Sequence, residues 1–316
     1  MRTAVNAVIP VFILLLCVGC TPDEGQKKIR LSDRLSDREI KEHARKQDDG
    51  TLWFGFDLRS SPQEDARQYL PFLKYLSEAT GFRFELYFIP KGENIVDALG
   101  SGKVQFAAIG ADTYIRAHAK YGVMPIARGL NAQGKAMYRS VIVVRPGSSI
   151  RTSNDLRNKR LAFGSVTSTQ GHLIPRIALS KQGLTLNDLK SYEYTGSHRN
   201  CANAVISGRV DACGMQDTMG MELAKEGLVR VIYTSKYYPS SGIAANGKVP
   251  PLVLAKVTEA LFNFDPMGRH AAGLYHWDKT EMPKGFTAAH DRDYAELREW
   301  TKKLGYFPDI KPEALP

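Results

Sequence analysis

The sequence predicts an α/β protein built as two lobes. Two observations carry this. A chain of 316 residues, 43% hydrophobic and 24% charged, is long enough for one large core or two medium ones, since domains usually run to ~100–200 residues. From Leu52 onward, short apolar runs alternate with amphipathic stretches, the pattern of parallel sheets covered by helices.

The N-terminus reads first as an export signal. Arg2 precedes the apolar run from Val8 to Leu16, and the small residues Val18 and Gly19 stand ahead of Cys20; residues 1–19 are therefore expected to be a cleaved signal peptide, the apolar stretch being too short to span a bilayer. A Cys behind a small residue at the cleavage point resembles the lipobox of bacterial lipoproteins, which implies that Cys20 is acylated. That pattern prefers Leu three residues before the Cys, where this chain has Cys17 with Leu16 one step earlier. Two acyl chains would anchor the protein stably. The alternatives are a plain secretory signal and an uncleaved anchor. Residues 20–50 are almost wholly polar and repeat Leu-Ser-Asp-Arg at 31–34 and 35–38; they are expected to be a charged tether.

Strands are predicted over 52–56, 82–88, 104–109, 124–128, 140–144, 160–163, 191–194, 210–214 and 229–234, each beside a helix. The first helix is clearly written. Ser61 suits its cap, Pro62 its first position and Glu64 a capping box, with Ala66, Tyr69, Leu73 and Leu76 at helical spacing and Gly81 at the end. Ser197 similarly caps a helix carrying Cys201, Ala204 and Val205 inward, closed by Gly208. Later helices are expected over 252–262 and 293–304. Of four cysteines, Cys17 leaves with the signal and Cys20 carries lipid. Cys201 and Cys213 are read as two buried thiols in preference to a bridge, which an exported chain would permit. Two cysteines cannot make a structural zinc site unaided, and no metal or cofactor is expected.

The formal charge of +10 attracts anions, whether small oxyanions, lipid headgroups or nucleic acid. Nucleic acid is set aside because basic residues are spread among acids, with no finger spacing or aromatic ribonucleoprotein motif. The informative block runs from Leu161 to Pro175: an apolar strand, the turn Gly164-Ser165-Val166-Thr167-Ser168-Thr169-Gln170-Gly171, and a helix start. Free N–H groups and the positive end of the helix dipole suit an anion there, with hydroxyls as further donors. Alone, such a turn is an ordinary capped helix.

Three stretches supply its context: 134–144 around Tyr138, the block 163–175, and Gly196-Ser197-His198 leading to Gly208-Arg209-Val210-Asp211-Ala212. From about Leu52 to about Tyr306 the chain resembles the phosphonate, phosphite and phosphate substrate-binding proteins of ABC importers. The resemblance implies a periplasmic binding protein fold of type II-like architecture, with two lobes joined by two crossing segments and a ligand cleft between them. The first lobe is then 51–142 plus 242–316 and the second 143–235, with crossings around 140–144 and 234–241. It also implies that Ser168 and Thr169 bind ligand oxygens, that Tyr138 hydrogen-bonds the ligand and that His198 belongs to the cleft. Gln170 replaces a family serine and Asp217 stands near a family carboxylate. A second family acid falls near Ser240-Ser241 and a family tyrosine near Gly92, losses that disfavour a ligand ammonium.

The candidate ligand-binding set is therefore Ser61, Tyr138, Ser168, Thr169, Gln170, His198 and Asp217. The expected partners are a small phosphorus oxyanion and a membrane ABC permease, the protein acting as a monomer. A sensory role beside a receptor kinase keeps the same fold. A hydrolase using Ser168, His198 and Asp217 is the remaining alternative, without a Gly-x-Ser-x-Gly elbow or His-Glu-x-x-His in its favour.

Overall fold

The computed structural model of the chain describes residues 50–59, 61–90 and 92–307. The expected signal peptide, acylated Cys20 and tether up to residue 49 lie outside the described residues. In chain order the strands are β1 (Leu52–Phe56), β2 (Phe84–Leu86), β3 (Phe106–Ile109), β4 (Met124–Gly129), β5 (Met137–Tyr138), β6 (Ser140–Val144), β7 (Arg160–Phe163), β8 (Ser191–Tyr194), β9 (Ala212–Gln216), β10 (Arg230–Thr234), β11 (Tyr238–Pro239), β12 (Gly242–Ala245) and β13 (Phe286–Ala288). The helices are α1 (Pro62–Thr80), α2 (Ile95–Ser101), α3 (Ala111–Tyr121), α4 (Ile174–Lys181), α5 (His198–Ile206), α6 (Asp217–Lys225), α7 (Pro251–Asn263) and α8 (Ala295–Lys303).

Two principal sheets form, ordered β13-β4-β12-β3-β1-β2 and β10-β6-β9-β7-β8. Both are mixed, which corrects the expectation of parallel sheets. β1 pairs in parallel with β2 and β3, and β7 with β8 and β9. β12 instead runs antiparallel between β3 and β4, and β6 antiparallel between β9 and β10. A parallel neighbour needs a crossover, usually a helix; β12 follows the short strand β11 directly, without one.

The crossing expected around 140–144 is also corrected. All five residues of β6 are buried and pair on both sides within the second sheet, as the run Ser-Val-Ile-Val-Val suits a central strand. The chain passes between the sheets just before it, along β5, and returns along β11. These two strands pair antiparallel, Tyr138 opposite Tyr238.

The first sheet packs its aromatic side on α1 and α7. Phe54, Tyr69, Phe72, Phe264, Trp277 and Phe286 are buried together, with the Phe72 and Trp277 ring centroids 5.0 Å apart. The α1 stripe is as the spacing predicts: Ala66, Tyr69, Leu73 and Leu76 are buried, Ser61 Oγ accepts from Glu64 N at 3.2 Å, and Gly81 closes the helix at a φ of 75°. A second cluster joins α4 to α3, α8 and the chain after it, through Leu173, Ile174 and Ile177 against Ile115, Leu297, Tyr306 and Phe307.

Cys201 and Cys213 are joined by a disulfide, so the reading as two free thiols is overturned. The spacing of 12 residues hides their proximity, because α5 turns back so that its buried face lies on β9. Closing a loop of that size contributes about 3 kcal/mol through the unfolded chain.

Candidate functional site

In open α/β sheets, ligands gather beyond the carboxyl ends of the strands. Four such ends converge here. β1 runs into Asp57, Leu58 and Arg59, β3 into Gly110 at the cap of α3, and β7 into the turn 164–171; the loop after β8 delivers His198 as the first residue of α5. With Tyr138 of β5 and Glu281 they line a cavity of about 310 Å³ counted to its mouth.

Five of the seven predicted residues meet there: Tyr138, Ser168, Thr169, Gln170 and His198. The turn after β7 is not the ordinary α-helix start that its sequence suggests. Residues Thr169–Leu173 form one π-helical turn before α4, a feature found often at functional sites. Ser168 Oγ accepts from Gly171 N at 2.9 Å, and Thr169 Oγ1 accepts from Asp112 N at 2.8 Å. That second bond ties the turn to the start of α3 in the first sheet's layer. The N–H groups of Thr169 and Gln170 precede the first bond within the turn and are open to a ligand.

Gly171 makes the packing possible. A Cβ there would stand 2.8 Å from Ser168 Oγ, 3.0 Å from His198 Cε1 and 3.2 Å from Gly164 Cα. Behind the turn, His172 Nδ1 lies 2.7 Å from Val166 O, which assigns the proton to Nδ1 and leaves Nε2 to accept from Tyr194 OH at 3.1 Å. Burial pushes the His172 pKa down to about 3. Tyr306 OH also donates to Val166 O, at 3.1 Å.

Gln170 and Asp217 act differently from expectation. The Gln170 amide donates to Arg139 O at 2.7 Å and toward Asp217 Oδ1 at 3.4 Å, so its N–H groups point away from the cavity. Asp217 is outside the lining; it is the first residue of α6, its Oδ1 accepts from Thr218 N at 3.1 Å, and it faces Arg139 Nε at 3.5 Å. Burial raises its pKa, with Arg139 opposing. Ser61 is likewise outside the lining, its oxygen occupied in capping α1. The hydrogen bonds of Ser168 and Asp217 lead to groups other than His198, so they do not form the relay that a hydrolase would need.

The electrostatics of the cavity come from residues that sequence reasoning missed. Arg59 and Glu281 form a buried ion pair, their side chains 15% and 6% exposed; burial pulls the Arg59 pKa down, and Glu281 together with Tyr69, Asp57 and Asp65 more than offsets it, so the guanidinium stays charged. Asp57 Oδ2 accepts from Gly110 N at 2.8 Å and from Thr113 Oγ1 at 2.9 Å, and burial pushes its pKa up to about 6 against those bonds. Asp57 and Glu281 thus bring acids to the cavity, where the sequence offers Asp217. His198 is held neutral, its pKa pushed down to about 4 by burial, and burial keeps the Tyr138 phenol un-ionised. Tyr138 OH, His198 Nδ1 and Arg59 Nε and Nη2 are buried without a well-aligned hydrogen-bond partner. Asp57, Arg59 and Gly110 carried one legible signal, their position just past strand ends. Glu281, in the loop before β13, carried none.

A shallow depression along α7, lined by Leu254, Ala255 and Phe262, gathers only Thr258, Glu259 and Asn263 as polar groups and lacks this convergence. Among the described residues no cluster of three His, Cys, Asp or Glu could hold a metal, and no helix is long and apolar enough to cross a membrane.

The family model described as the periplasmic substrate-binding protein of phosphonate ABC transporters matches residues 54–294. The chain belongs to that family. The phosphonates-binding periplasmic protein of Escherichia coli is 27% identical over 234 residues, covering 70% of this chain and 68% of that protein. A probable phosphite-binding ABC transporter protein of Prochlorococcus marinus is 26% identical over 207 residues, covering 63% of this chain and 57% of its own length. The solved Prochlorococcus marinus PhnD1, in complex with methylphosphonate, superposes with a TM-score of 0.73 at 18% identity, over 81% of this chain and 99% of that one. A binding component of a Pseudomonas aeruginosa phosphonate transporter gives 0.71 at 21%, over 81% and 86%. At these identities the superpositions establish a two-lobed periplasmic binding fold. Members of this phosphonate-binding family are extracytoplasmic solute-binding proteins serving an ABC permease.

Proposed function

We propose that the protein captures a small phosphorus oxyanion, such as phosphite, a short phosphonate or phosphate, and presents it to an ABC permease while tethered to the membrane through acylated Cys20. One observation carries the oxyanion reading: Arg59, Tyr138 and His198 line one cavity with buried polar groups whose hydrogen bonding is incomplete, beside the N–H groups at the start of the π-helical turn. Buried donors left unpaired cost about 1–3 kcal/mol each, and an oxyanion relieves that cost. The small cavity, and the engagement of Glu281 with Arg59, favour a ligand with a short uncharged tail over one bearing an ammonium.

The lobes in this reading are the two sheets with their helices, roughly 51–139 plus 242–307 and 140–235. Arg59 and Gly110 come from one and Ser168, Thr169 and His198 from the other, so a bound anion bridges them and shifts an open–closed equilibrium toward the closed form. Gln170 and Asp217 position the turn from behind, and Ser61 fixes the helix that follows the Arg59 loop. The protein works as a monomer. Isothermal titration calorimetry with phosphite, phosphate, methylphosphonate and aminoethylphosphonate tests the reading. Binding is expected for the first three in some order of affinity; heat-silent titrations with all four would end it.

A further inference from the structure

A cavity suited to an anion contains a carboxylate, and that combination has a chemical consequence. Asp57 is fixed in place: Oδ2 accepts from Gly110 N and Thr113 Oγ1, and Thr113 Oγ1 also lies 3.1 Å from Oδ1. It therefore cannot swing away from a bound ligand. Two carboxylate oxygens offer about four acceptor sites, so accepting positions remain. A Cβ on Gly110 would stand 3.0 Å from Thr169 Oγ1 and 3.6 Å from Asp57 Oδ2. The carboxylate and the oxyanion turn thus flank the same glycine.

Burial raises the Asp57 pKa and outweighs Arg59, which draws it down. Arg59, from the same loop, is already matched by Glu281. His198 at the start of α5 is neutral, and Tyr138 on β5 is un-ionised. Asp65, whose Oδ2 accepts from Arg59 N at 2.8 Å, and Asp112 at the start of α3 are further acids, both buried. Two anions facing each other in such a site cannot both stay fully ionised.

We infer that Asp57 accepts a hydrogen bond from a protonated oxygen of the ligand, so the site selects anions that carry a P–OH and turns away isosteric anions that carry no proton, sulfonates above all. The inference rests on the oxyanion reading and gives it a substrate class. The raised pKa of Asp57, about 6, points the same way: one proton is shared between the carboxylate and the ligand. Phosphonates and phosphite lose their second proton near neutrality and can supply it. Sulfonates are strong acids and cannot.

Proton balance makes this measurable. At about pH 9, where both Asp57 and the phosphonate are deprotonated in solution, binding must take up roughly one proton per ligand from the buffer. Titrating methylphosphonate in two buffers of different ionisation enthalpy counts it. Methanesulfonate, of the same shape, is expected to bind the wild type at least ~100-fold more weakly, since sites that read a ligand hydroxyl reject analogues lacking it by up to ~10⁴-fold. In Asp57→Asn the proton uptake should vanish and the two ligands come within roughly tenfold. Equal wild-type affinity for both ligands, or proton uptake undiminished in Asp57→Asn, would overturn the assignment while leaving phosphonate capture intact. The wild-type proton count and selectivity stand even where the variant folds poorly. Failure of the wild type to bind any phosphorus oxyanion would instead remove the oxyanion reading, and this inference with it.

Discussion

Gly171→Ala adds one methyl group at the point where three segments meet. The new Cβ would stand 2.8 Å from Ser168 Oγ, 3.0 Å from His198 Cε1 and 3.2 Å from Gly164 Cα, between about 0.2 and 0.6 Å inside ordinary contact. None of the three can easily yield. Ser168 Oγ is held by Gly171 N, Gly164 is backbone at the end of β7 and is bonded to Gly171 O at 3.0 Å, and the His198 ring is packed at a buried helix start. The turn must therefore move as a unit, by roughly half an ångström, away from the strand end. Overpacking of this kind costs about 1–3 kcal/mol of stability, which for a folded region of this size lowers Tm by about 2–4 °C per kcal/mol. Binding should suffer more, because the shift misaligns the Thr169 and Gln170 N–H groups. Losing one or two charged hydrogen bonds, each about 1.5–3 kcal/mol, weakens methylphosphonate by roughly 10-fold to 10⁴-fold. Calorimetry beside a thermal melt separates the two effects. A variant with a lowered Tm and an unchanged Kd would show that the turn does not hold the ligand.

Acid should destabilise the described region through two buried histidines. In the unfolded chain a His protonates near 6.5, whereas His198 and His172 stay neutral in the fold down to about 4 and about 3. The unfolded state therefore binds more protons in that window, and their contribution, complete above about pH 6.5, is lost as pH falls toward 4. For His198 it amounts to about 3 kcal/mol at most. Asp57, raised to about 6, works in the opposite sense below that pH and offsets part of the loss. Urea denaturation of the wild type between pH 7.5 and 4.5 should show falling stability, with a shallower slope in His198→Asn; a flat wild-type profile would contradict the burial argument. Cys20→Ser should move the protein from the membrane to the soluble fraction and abolish labelling by a fatty-acid analogue, and persistent labelling would place the anchor elsewhere.

Much of the architecture was legible because local signals agreed. β1 and β6–β8 stand where the apolar runs predicted, and Ser61, Glu64 and Gly81 bound α1 as their chemistry requires. β12, Gly-Ile-Ala-Ala, was missed because two small residues and a glycine give little strand signal; it is a strand because β3 and β4 flank it. The site divided along the same line. Tyr138, Ser168, Thr169 and His198 were legible through motif resemblance. Arg59 and Glu281 were not, because they stand 222 positions apart in the chain and meet only in the folded protein. The direction of the Gln170 amide was also hidden, since it depends on Arg139 and Asp217 from two other segments.

If the proposed lobes turn about the two crossing strands, the ribbon of β5 and β11 would place Tyr138 at their pivot. A group on a rotation axis hardly travels, so under the proposed lobe motion this hydroxyl keeps its post in the gaping and the shut form alike. Arg59 and Thr169, which belong to opposite lobes in this reading, would reach the ligand together only when the lobes meet. The tyrosine would then be the doorkeeper that greets an arriving anion, and the jaws the clasp that retains it. Arrival and retention could accordingly be altered one at a time, the first at the hinge and the second at the rim.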